Sequence, residues 1–349
     1  MTGNEQKNAN RFSFLSLKTI LANAGLDAFL GLLLGMIVLA YFFPQPGIAE
    51  EPISLEEITN YGFLFIFFFY GLRLSFPELK RGLNNWKLHI AVQLTTFLFF
   101  PLVLLLSKPF FGGTTQAELL WLGTFYLAAL PSTVSSSVVM VAIAGGNLPA
   151  AIFNATISSL LGIFITPVWM SLFLASNTQN FDIKQVILKL ALQVLLPFII
   201  GVALNPKFGE FANRHKKKLR YFDQTVILLI VYTAFCHSFT LGVFNDFSFS
   251  SIFLLMLAMS LLFFASYAFI YFISRILKFD TPDTVTILFC GSKKSLVQGT
   301  VMSKVLFPDP AIVGIVLLPI MVYHALQLIF ASIIAKRIAV RTGTVAASE

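Results

Sequence analysis

The chain has 349 residues, 57% of them hydrophobic and only 11% charged, with a formal net charge of +8. A mean hydropathy of +0.83 excludes an ordinary soluble globular domain and points to an integral membrane protein. The positive balance does not indicate nucleic-acid binding, because Lys and Arg fall in short stretches between apolar runs and build no face for phosphates.

The N-terminal residues are polar to about Lys18, and no small-residue cleavage site follows the first apolar run. That run reads as a permanent span, not a signal peptide. A hydrocarbon core of about 30 Å takes roughly 20 apolar residues per helix. Runs of this kind lie at 22–43, 58–76, 86–106, 117–144, 149–174, 184–204, 222–243, 250–277, 283–306 and 311–335, so ten membrane helices are expected. Residues 1–21 and 336–349 form tails. Cys236 and Cys290 lie inside apolar runs, which argues against a disulfide framework.

Most of the 24 basic residues gather on one side when alternate loops are assigned to it. That side takes Lys7, Arg11 and Lys18, then Arg73 to Lys87, Lys207 to Arg220, Arg275 with Lys278, and Lys336 to Arg341. The opposite side carries Glu50, Glu51, Glu56 and Glu57 in its first loop. Both termini are therefore expected in the cytoplasm, in a bacterial inner membrane or a plasma membrane.

Two spans are interrupted by polar patches about 160 residues apart, at Pro131-Ser132-Thr133 and at Gly291-Ser292-Lys293. A five-plus-five count with breaks at matching positions predicts two inverted repeats, 22–174 and 184–335. The broken fourth and ninth helices would cross near mid-membrane and frame a substrate site.

Lys293 and Lys294 stand near the centre of the ninth run, roughly ten residues from either end. An intramembrane charge costs several kcal/mol and marks a functional site by default. All 16 acidic residues lie in loops, tails or near span ends, leaving no carboxylate at mid-depth. Either the lysines are neutral when the site is empty, or an anionic ligand supplies the countercharge. Ser292 and Ser295 flank the pair, and Gly291 with Ser292 before it and Gly299 after it suggest that the helix is broken there.

The first break supplies Ser132, Thr133, Ser135, Ser136 and Ser137 next to Pro131. These hydroxyls either replace backbone partners lost at the proline, coordinate a ligand, or only let helices pack closely. The helix restarting after them would point its positive end into a cavity, which suits an anion. Asn154 in the fifth span, Gln93 in the third, and His324 with Gln327 in the tenth could line the cavity or join helices. An enzyme is not expected: the four histidines lie far apart without metal-ligand spacing, no phosphate loop exists, and no acid is available for a serine triad. No cofactor or metal is implied.

Three stretches carry a resemblance over essentially the whole chain: LPSTVSSSVVMVAIAGGN from Leu130, PAAIFNATISSLLGIFITPVW from Pro149, and FCGSKKSLVQG from Phe289. The sequence resembles the bile acid:sodium symporter superfamily, in the branch typified by solute carrier family 10 member 7 and its bacterial relatives. The resemblance implies an all-α membrane fold of ten helices. A panel domain would comprise helices 1, 2, 6 and 7, and a core domain helices 3–5 and 8–10. It also implies alternating access. Sodium-coupled members use polar residues after the helix-4 break, matching Ser136 and Ser137, hydroxyls on helix 5, and a Glu followed by Gln and Asn at the helix-9 break. Here Phe289 falls on the glutamate, and Lys293 and Lys294 fall on the amides.

The expectation is a secondary active transporter of a small organic anion, working in a lipid bilayer with Na+ or H+ as candidate coupling ion. Sodium coupling is in question, because lysines occupy the ion site. The alternative is a non-transporting membrane regulator or sensor on the same fold.

Overall fold

The computed structural model describes residues 28–51, 54–74, 80, 82, 85–110, 114–177, 183–245 and 248–342. Among them all regular structure is helical. We number the helices α1 (Ala28–Phe42), α2 (Leu55–Leu72), α3 (Trp86–Ser107), α4 (Thr115–Ala129), α5 (Ser135–Ile143), α6 (Leu148–Asn177) and α7 (183–214). There follow α8 (Lys216–Thr240), α9 (Phe249–Ile276), α10 (Thr281–Gly291), α11 (Leu296–Leu306) and α12 (Pro310–Arg341). The start of the expected first span, residues 22–27, the tail 1–21 and residues 343–349 of the expected tail 336–349 lie outside the described residues, whereas residues 336–341 of that tail continue α12.

Six helices are long and apolar enough to cross a membrane: α3, α6, α7, α8, α9 and α12. Large apolar side chains such as Leu106, Phe65, Leu192, Ile199, Leu254 and Phe272 are exposed on the outer faces. Water would penalise such a surface, whereas a bilayer solvates it.

Local chemistry sets many of the helix starts. Ser54, Asn85, Thr114, Ser248, Asp280 and Ser295 each accept, at the N-cap, the backbone N–H three residues on. Asp283 in the first turn of α10 goes further. It accepts from Asn85 Nδ2 and, at 2.9 Å, from Asn147 Nδ2, and so ties α10 to the starts of α3 and α6.

Two layers position the site. In one, α2 packs against α7 and α8, and α8 against α1. The α2–α7 contact is very close: a Cβ on Gly71 would meet Phe198 O at 2.1 Å, and one on Gly201 would meet Phe68 O at 2.1 Å. Small residues let membrane helices approach in this way. In the other layer, α10 packs on α3, α5, α6 and α9, while α12 runs along α4, α5, α9 and α11 and also touches α8.

Candidate functional site

The site begins with a defect in α3. A π turn over Thr95–Phe99 sends the Phe100 N–H to Thr95 O, which is one residue back from its α-helical partner. Thr96 O thereby loses the Phe100 donor, and the next candidate, Pro101, has no N–H. Pro101 likewise leaves Phe97 O without its helical donor, and the Trp169 indole takes that place at 2.8 Å. Thr96 O is claimed by Lys294 Nζ at 2.6 Å.

The chain between α4 and α5 and the chain between α10 and α11 then satisfy each other. A helix end leaves its last carbonyls without internal donors, and inside a membrane each needs a partner. At the end of α4, Ala128 O and Leu130 O accept from Lys294 Nζ at 2.6 and 2.8 Å, and Ala129 O accepts from Thr166 Oγ1 at 2.8 Å. Pro131 O accepts from Ser295 N at 2.9 Å. In return, Ser132 Oγ donates to Cys290 O at 2.5 Å, and the Ser132 N–H donates to Ser158 Oγ at 2.9 Å. Gly162 on α6 makes room for the Pro131 ring, which a Cβ there would meet at 2.7 Å.

Lys294 thus meets three carbonyl oxygens within 2.8 Å, with its Nζ 4.3 Å from the Phe100 ring centroid. An ammonium has three N–H donors, and all three are matched. The negative end of the α4 dipole and the ring face add to the attraction for positive charge. The Lys294 backbone is pinned as well: its N–H donates to Gln327 Oε1, and its carbonyl accepts from Gln327 Nε2, both at 2.9 Å. His324 Nδ1 lies 3.0 Å from the same amide nitrogen, and Tyr323 OH donates to Ser292 O at 2.6 Å.

Lys293 is equally buried but differently placed. Its Nζ donates to Ser136 O at 3.0 Å and stands 6.0 Å from the Phe289 ring centroid. It therefore approaches the first turn of α5, whose N-terminus has no side-chain cap, whereas α11 is capped by Ser295. Ser136 Oγ and Ser137 Oγ in that turn are buried without a hydrogen-bond partner among the described residues. Neither lysine belongs to an ion pair among the described residues, unlike Arg73, Arg214 and Lys304, which pair with Asp223, Glu210 and Glu56.

The remaining expected residues divide. Ser132, Thr133, Ser137, Ser292 and Ser295 are buried at the two breaks, whereas Ser135 is exposed. Ser292 Oγ turns back to Leu288 O at 2.6 Å. Gln93 and Asn154 do not meet the lysines directly. Gln93 Nε2 donates to Asn154 Oδ1 at 3.3 Å, and Asn154 Nδ2 donates to His89 Nδ1 at 2.9 Å. Gly291 is the last residue of α10, so the interruption begins where Gly291 and Ser292 mark it, whereas Gly299 lies inside α11, where its carbonyl accepts from Tyr126 OH at 2.7 Å. The break itself is Ser292–Ser295, opened by the exchange of partners with the first break. Sequence reasoning noted Thr96 beside Gln93 as a polar residue but missed the role of its carbonyl, and it missed Phe100 and Tyr323. Pro101 was the available signal for the first.

The sequence profile of the SBF-like CPA transporter family matches residues 27–340. The chain belongs to this family. It is therefore a multi-pass integral membrane transporter, related to the sodium/bile acid cotransporters by sequence. An uncharacterised Pseudomonas aeruginosa protein, PA2026, is 38% identical over 322 residues, 92% of this chain and 96% of the relative. YfeH of Escherichia coli K12, named as a candidate symporter, is 35% identical over 312 residues, 89% of this chain and 92% of the relative. Sodium/bile acid cotransporter 7 of Rattus norvegicus is 32% identical over 297 residues, 84% of this chain and 87% of the relative. This SBF-like protein thus matches bacterial and vertebrate relatives over nearly their full lengths.

Proposed function

We propose that the protein is a secondary active transporter of a small organic anion, in which Lys293 receives the anion and Lys294 does the work of a bound cation. The observation that carries the reading is the contrast between the two ammonium groups. Lys294 has every donor matched by a carbonyl, while Lys293 has one carbonyl partner and faces an uncapped helix start with two unpartnered hydroxyls. An ammonium beside the positive end of a helix is unfavourable until negative charge arrives between them. A carboxylate, sulfate or phosphate group on a solute would meet both, with Ser136 and Ser137 as further donors.

In this reading the pieces form ten spans in two inverted repeats. The fourth span is α4 with α5, and the ninth is α10 with α11. The layer of α1, α2, α7 and α8 is the panel, and the other helices form the core. Rocking of one against the other exposes the Lys293 side alternately to the two faces, with both termini cytoplasmic. The main-chain bond between Ser295 and Pro131 supports the crossing, since it joins the two breaks directly.

The relatives' names include sodium and bile acid. We carry over transport of an organic solute but not the sodium step. An ammonium held by three carbonyls leaves a sodium ion neither ligands nor a favourable field at that place. Uptake by the purified protein in proteoliposomes, measured with and without a sodium gradient, tests this. Anion uptake that persists without sodium and is lost in Lys293→Ala supports the reading. Uptake that requires sodium and survives in Lys293→Ala refutes it.

A further inference from the structure

A cavity bearing two arginines lies away from Lys293 and Lys294. It has a volume of about 350 Å³ and opens between α9, α10 and α12, lined by Tyr267, Tyr271, Leu288, Ile334, Arg337, Ile338 and Arg341. The size falls within the range of ligand pockets, roughly 300–1,000 Å³. Its chemistry is sharply graded. Leu288, Ile334 and Ile338 form an apolar floor, Arg337 and Arg341 stand one helical turn apart at the end of α12, and the lining contains no carboxylate. Tyr271 at the mouth is 51% exposed, beside the exposed apolar residues Phe272 and Ile276. The cavity therefore opens onto the surface that the bilayer covers.

We infer that this groove binds an anionic phospholipid, its phosphate between Arg337 and Arg341 and the start of an acyl chain against Leu288, Ile334 and Ile338. Two arginines match a phosphodiester by charge and by fork geometry. Basic pockets between membrane helices at the end rich in Lys and Arg take lipid headgroups of this kind. A soluble anion would gain the arginines but would leave the apolar floor uncovered. The floor also connects to the crossover, because Leu288 O accepts the Ser292 hydroxyl at 2.6 Å. A bound lipid would rest against α10, the half-helix that leads into Lys293 and Lys294. The inference stands independently of what Lys293 binds.

The test is native mass spectrometry of the delipidated, detergent-solubilised full chain, titrated with phosphatidylglycerol and with phosphatidylcholine of the same acyl composition. The wild type is expected to retain phosphatidylglycerol in preference. The double variant Arg337→Gln/Arg341→Gln should weaken that binding by roughly 10- to 30-fold. Arg337→Lys/Arg341→Lys, which keeps the charge but loses the fork, should fall between the wild type and the glutamine pair, and Lys217→Gln/Lys218→Gln, which removes equal charge elsewhere, should keep all of it. Ile334→Trp, which fills the floor, should weaken both lipids. Equal retention of the two lipids by the wild type would overturn the inference. So would an equal loss in the Lys217/Lys218 control, which would mean that only bulk charge matters. Melting temperatures of all variants check that the fold is intact, and Ile334→Trp, which leaves both arginines in place, keeps the test decisive if the glutamine pair unfolds: undiminished lipid retention in it would overturn the inference.

Discussion

Lys293 and Lys294 are neighbours in sequence and equally buried, yet they stand in opposite environments. Lys294 lies at the C-terminal end of α4, where carbonyls are in surplus, and the α3 π turn adds one more from Thr96. Lys293 lies at the N-terminal start of α5, where N–H groups are in surplus, and holds only Ser136 O. The sign of the local field differs although the side chains do not. A break in a membrane helix presents both helix ends at once, and here one lysine meets the negative end while the other lies beside the positive one.

The largest effect expected from this comparison is on stability at Lys294. Lys294→Ala would strip three buried carbonyls of their donor, at about 1–3 kcal/mol each, and its melting temperature should fall far below that of the wild type. Gln327→Leu comes next. It removes both partners of the Lys294 backbone and should cost roughly 2–4 kcal/mol in a denaturation measurement. Tyr323→Phe deletes only the donor to Ser292 O and should cost about 1 kcal/mol. Lys293→Ala should be the smallest, within about 1 kcal/mol of the wild type, because it leaves a single carbonyl short. A fall as large as that of Lys294→Ala would erase the distinction between the two.

Much of this was legible in the sequence, for identifiable reasons. Lysines in an apolar run are conspicuous because the bilayer penalises them, and Pro131 with its serines marks a break by composition. The division of labour between the two lysines was not legible, because it depends on backbone carbonyls, which every residue has. Thr96 O becomes available only through a π turn and a proline five residues on. The role of Gln327 was half visible: its pairing with His324 followed from helical spacing, but its two hydrogen bonds to the Lys294 backbone come from a contact 33 residues away in the chain. Gln93 and Asn154 carried the same polar signal and instead join α3 to α6 beside His89, which no local pattern distinguishes from cavity lining.

The most direct test of the central claim is cation rescue of Lys294→Ala. The melting temperature of this variant would be followed as choline chloride is replaced by sodium, potassium or methylammonium chloride at constant ionic strength, beside the wild type and Lys293→Ala. If the Lys294 ammonium does the work of a bound cation, small cations should enter the emptied carbonyl cage and raise the melting temperature of Lys294→Ala alone. If sodium instead stabilises the wild type and Lys293→Ala, and nothing rescues Lys294→Ala, sodium binds elsewhere in the native protein and the lysine is not its substitute.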